Sequence, residues 1–99
     1  MRKTGYLIAN DSGEFLAAFR RGQDVDLLAW TPHPGLAVVF RLEQARRLVA
    51  ELSERRLWIV ELWESQTHYG VCGVSGGEVP AWLRQSPAGV VTTNGGGSS

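Results

Sequence analysis

Leu57-Trp58-Ile59-Val60-Glu61-Leu62-Trp63 decides how this chain folds, because six of its seven residues are apolar and its length suits a strand. Side chains alternate along a strand, so Trp58, Val60 and Leu62 share one face while Leu57, Ile59 and Trp63, interrupted by Glu61, share the other. Such a strand needs apolar cover on both sides. The segment before it supplies a single amphipathic helix. That helix is expected over the Val60 and Leu62 face, leaving the Leu57, Ile59 and Trp63 face to be covered by residues 79–83 with Trp82, by a second copy of the chain, or by a foreign partner.

The helix is read from Leu42 to Leu52. Leu42, Ala45, Leu48, Val49 and Leu52 recur at helical spacing, and Glu43, Arg46, Arg47 and Glu51 fill the opposite side. Glu43 with Arg47 and Glu51 with Arg55 are i,i+4 pairs in the favoured order, each contributing about 0.2 to 0.5 kcal/mol. Its start is open, since residues 36–40 suit either a short strand or a preliminary helical turn and Arg41 is a poor N-cap.

Upstream, Tyr6 to Ala9 and Glu14 to Arg20 flank Asn10-Asp11-Ser12-Gly13, whose residue types tolerate turn geometry, so a hairpin is expected. A turn at Arg21-Gly22-Gln23-Asp24 leads into a third strand from Val25 to Trp30. Thr31-Pro32-His33-Pro34-Gly35 follows as a stiff loop, because two prolines remove two amide donors. Downstream, Tyr69 to Val74 reads as a strand weakened by Gly70 and Gly73. Residues 80–84 suit either one helical turn with proline near its start or an anchored loop.

These elements predict an α+β domain over residues 1–85, with a four- or five-stranded, mainly antiparallel sheet and one amphipathic helix packed on one face. Residues 86–99, ending in glycines and serines, are expected to be a flexible tail. The expected core is Ile8, Phe15, Phe19, Leu28, Phe40, Ala45, Leu48, Val49, Leu52, Val60 and Leu62.

A chain of 99 residues buries roughly 60 to 68% of the surface exposed when unfolded, enough for one modest core. Ten basic and ten acidic residues cancel, so no overall field attracts nucleic acid or an anionic membrane. The lone Cys72 excludes an internal disulfide and fits a reducing compartment. The first apolar run ends at Asn10, too short for a secretory signal, and none approaches the about 20 residues that span a bilayer. A cytoplasmic protein without membrane association is expected.

Catalytic signatures are weak. Glu64, His68 and Cys72 recur every four residues and are all zinc-ligand types, but the segment reads as strand and turn, without a fourth ligand. Gly22 and the Gly76-Gly77 pair fit neither a dinucleotide fingerprint nor a phosphate loop. No cofactor, metal or enzymatic activity is expected. Four tryptophans are many for one helix to bury, and aromatics are enriched in interface cores. Trp63, Ile59, Leu57 and Trp30, with His33 on its stiff loop, are the candidate partner-binding residues. The pairs Arg20-Arg21, Arg46-Arg47 and Arg55-Arg56 define the alternative, a surface for nucleic acid.

Tyr6-Leu7-Ile8, Ser12-Gly13-Glu14-Phe15-Leu16, Ala29-Trp30-Thr31, Phe40, Ala45 and Ile59-Val60-Glu61-Leu62 also come in a recognisable order. From Tyr6 to Glu64 the chain resembles small bacterial and phage α/β proteins with a displayed hairpin, a Trp-Thr step, an Ala…Phe…Ala helix and an Ile-Val-Glu strand. The resemblance implies a compact antiparallel sheet with one helix, of the kind found in phages and mobile elements. By analogy of size and architecture it extends to anti-CRISPR inhibitors of bacterial immunity. The chain departs from that pattern in continuing past Tyr69 and in lacking a polar helix N-cap. The expected function is therefore a non-catalytic protein-binding module acting by occlusion or recruitment, with homodimerisation and nucleic-acid binding as alternatives.

Overall fold

The computed structural model describes residues 1–20, 22, 27–52, 56–74, 77–84 and 90–94. In chain order they form β1 (Arg2–Ala9), β2 (Phe15–Arg20), β3 (Leu27–Thr31), a 3-10 turn (Pro34–Leu36), α1 (Leu42–Glu51), β4 (Trp58–Glu64), β5 (His68–Gly73), α2 (Ala81–Arg84) and β6 (Val90–Asn94). The strands make a mostly β fold, one antiparallel sheet in the order β3-β2-β1-β4-β5-β6. Five strands lie between Arg2 and Gly73. A sixth, β6, adds to these at the β5 edge, where Val90–Asn94 pairs with His68 to Cys72.

The β1–β2 turn forms because one side chain satisfies its backbone. Asn10 Oδ1 accepts the amides of Ser12 at 2.9 Å and Glu14 at 3.0 Å, and Gly13 takes the left-handed conformation at φ 81°. Past the Ala9–Phe15 pair the two strands part company. Residues 38–40 enter the fork: Phe40 exchanges both backbone hydrogen bonds with Tyr6, at 2.8 and 3.0 Å, and Val38 N–H donates to the Leu16 carbonyl at 2.9 Å. Gly5 makes room for this, since a Cβ there would stand 2.5 Å from Val39 Cγ1 and 3.1 Å from the Phe40 carbonyl oxygen. Residues 36–40 are thus neither strand nor helical turn as a unit; they pass from the 3-10 turn into a single bridge.

Helix α1 begins with Gln44 Oε1 accepting the Arg41 N–H at 3.1 Å. This is the half of a capping box that Arg41 permits, since a guanidinium has no acceptor to offer in return. Its Ala45 and Leu48, with Leu52 at the C-cap, share a buried cluster with Ile8, Leu16 and Phe40, against which Leu57 and Ile59 pack. The expected arrangement is therefore reversed. The second cluster holds Leu7, Ala9, Phe15, Val60, Leu62, Val71 and Leu83, with Ala37, Tyr69, Val79 and Trp82 against it. Val60 and Leu62 on one face of the strand are buried within the chain, whereas Leu57 and Ile59 on the other are half-buried against the α1 cluster.

Trp82 fixes that second cover in place. Its indole N–H donates to the Asn10 carbonyl at 2.9 Å, and its ring meets Phe15 edge-on, 5.8 Å between centroids. Trp82 closes over the hairpin turn and not over Ile59 and Trp63. Of the expected core, Phe19 is 40% exposed, beside Phe40 at 6.0 Å, and Leu28 and Val49 are half-buried.

Candidate interaction groove

Where α1 passes the start of β4, the two elements do not close completely. An open groove of about 250 Å³ is lined by Leu42, Arg46 and Val49 from α1, Leu57, Trp58 and Ile59 from β4 and its approach, and Val74, Gly77 and Glu78 from the segment after β5. Its floor is aliphatic. Helical spacing puts Leu42, Arg46 and Val49 along one side of α1, with the charged head of Arg46 in solvent. Arg56 extends over the Trp58 ring, 5.2 Å from its centroid. Glu78 is exposed and supplies the acidic group among the lining residues.

Of the residues singled out for partner binding, the groove brings together Leu57 and Ile59. Trp30 is half-buried at the periphery of the α1 cluster, opposite Leu16 across the β2–β3 ladder. His33 is exposed ahead of the 3-10 turn, its amide donating to Thr31 Oγ1 at 3.1 Å. Trp63 lies elsewhere, in a polar group on the sheet.

That group gathers around Glu61. Its Oε1 accepts the Trp63 indole N–H at 3.0 Å and the Cys72 thiol at 3.4 Å, and its Oε2 stands 3.9 Å from Lys3 Nζ. Lys3 Nζ also donates to the Tyr6 hydroxyl at 3.2 Å, which raises the ammonium's pKa above its ordinary value, with Glu61 adding to the effect. Burial pushes the Cys72 thiol up, and the hydrogen bond to Glu61 and its negative charge push the same way. The proton is held on sulfur, the opposite of what a nucleophilic thiol requires.

The Glu64, His68 and Cys72 series does not converge. Glu64 accepts the Thr4 hydroxyl at 2.8 Å, His68 Nδ1 is 2.6 Å from Thr67 Oγ1, and Cys72 faces Glu61. The spacing of four aligns side chains on a helix, but here a turn separates two antiparallel strands, and Glu64 stands opposite Tyr69. Among the described residues, no three of His, Cys, Asp and Glu come together to hold a metal ion.

The arginines divide between two regions. Arg46 and Arg47 are exposed on α1 and Arg56 is exposed near the groove. Arg20 is at the end of β2, in a shallow depression of about 220 Å³ with Ala18, Phe19, Leu27, Leu28 and Ala29. Arg21 and Arg55 lie outside the described residues. Sequence reasoning missed Leu42, Arg46 and Val74 as neighbours of Leu57 and Ile59, because the reversed helix placement hid the groove. Among the described residues, no helix is long and apolar enough to cross a membrane. Comparison with known proteins finds no matching family model, no similar curated protein and no similar solved structure.

Proposed function

We propose that this chain is a non-catalytic protein-binding module that occludes or recruits a partner through the groove between α1 and the start of β4. The observation that carries the reading is the groove itself: Leu42, Val49, Leu57, Ile59 and Val74 line an open concavity beside a completed core. Apolar side chains left at such an opening are stabilised when a partner displaces the water over them. The protonated Cys72 thiol and the scattered Glu64, His68 and Cys72 give no competing support for an enzyme. Inhibition of a bacterial defence system is one specialisation of this role, supported by the resemblance alone.

Affinity capture on the immobilised full chain, compared with Trp58→Ala and Leu42→Asp variants whose circular dichroism matches the parent, tests the reading. A partner retained by the parent and lost by both variants is expected. Equal retention by all three moves binding away from the groove. Sedimentation equilibrium separates self-association from foreign binding, and a monomeric chain with no specific partner would sink the proposal. Loss of immunity in a plasmid-interference assay is the measurement for the defence-inhibitor role.

A further inference from the structure

The groove's charges bear on what occupies it. Arg46 lines it and Arg56 lies over its Trp58 wall; among the described residues neither guanidinium has a carboxylate within ion-pair distance. Against these two stands Glu78. Resting on the protein-binding reading above, we infer that the groove takes an acidic amphipathic segment of a partner protein, with large apolar side chains on the aliphatic floor and Asp or Glu reaching Arg46 and Arg56.

Arginine suits this role because its planar fork pairs with carboxylates in two hydrogen bonds. Stacking on Trp58 holds the Arg56 side chain out along the wall, reducing the freedom lost on binding. Nucleic acid would also meet two guanidiniums, but the observations favour a protein segment. The floor offers aliphatic side chains where bases would need a run of stacking platforms, and the chain carries no net charge to draw a polyanion in.

The test is selection of peptides on the immobilised full chain from an unbiased random display library, followed by fluorescence polarisation of the enriched peptides. Enriched sequences are expected to combine Asp or Glu with Leu, Ile, Phe or Trp. Binding should weaken about tenfold in Arg46→Glu, in Arg56→Glu, or when the peptide's carboxylates become amides. Neutral or basic enriched peptides, or binding unchanged in both arginine variants yet lost in Trp58→Ala, would overturn the acidic preference while leaving the groove a protein-binding site. No enrichment at all counts against the protein-binding reading itself. Stronger binding of a single-stranded oligonucleotide that displaces the peptide would reassign the arginines to nucleic acid. A dimer in sedimentation that Arg46→Glu dissociates would make the occupant a second copy. Either result overturns the inference.

Discussion

Gly5 shows how one residue's missing side chain holds two segments together. The Tyr6–Phe40 bridge needs the backbone to approach where a Cβ would strike Val39. Gly5→Ala should therefore destabilise the fold by about 1 to 3 kcal/mol, read as a lower urea midpoint. Nothing in the sequence marks this glycine as necessary, because the clash is with a residue more than thirty positions away. Gly13 was legible, since its requirement is local to the turn. Cys72 gives a second residue-scale expectation. A thiol whose pKa is raised above its ordinary 9.0 on folding favours the protonated native state, so its contribution is complete below that value and is lost as pH rises beyond it. The raised Lys3 ammonium acts in the same direction at still higher pH. Stability of the parent should fall more steeply above about pH 9 than that of Cys72→Ala, measured by urea unfolding across the alkaline range.

At the scale of elements, periodicity decided what the sequence revealed. Helix α1 and the first hairpin were legible because each repeats its signal over several residues. Which face of β4 the helix covers was not, since both faces of that strand are apolar and alternation alone cannot rank them. The answer rests on Ile8 and Leu16, whose cluster is the one α1 joins, and on Leu83, which fills the other side from a four-residue helix too short to show a period. Leu48→Ala and Leu83→Ala, at 7% and 1% exposure, should each cost about 2 to 5 kcal/mol in chemical denaturation. A cost for Leu83→Ala below that of a surface substitution would remove α2 from the core. Strand β6 did have a signal, the β-branched run Val90-Val91-Thr92-Thr93, overshadowed by the glycines and serines after it.

For the whole molecule, β6 adds Val90–Asn94 to the sheet beside β5. Ending the chain after Arg84 should expose the β5 edge along five paired positions. A lower midpoint together with concentration-dependent light scattering is the expected result, as unpaired edges template association. The balanced charge argues against the nucleic-acid alternative, which requires affinity that falls steeply with salt. Flat or absent binding of single strands and duplexes at low salt is expected in electrophoretic shift and polarisation experiments. The candidate groove was half legible: Leu57 and Ile59 were marked by their apolar excess, while Arg46 and Glu78 join them through tertiary packing that no local pattern encodes.

The central position of β1 constrains how the protein is made as well as how it is held. Along its length β1 pairs with β4, from Arg2 opposite Glu64 to Ala9 opposite Trp58, and it meets β2 at a single pair. On the ribosome β1 therefore waits longer for its main partner than any other described strand. At about 5 to 20 residues per second, its apolar Leu7, Ile8 and Ala9 wait for seconds before their partner strand emerges. The nascent chain is most prone to mispair during that interval, when it is long enough to stick and too short to close.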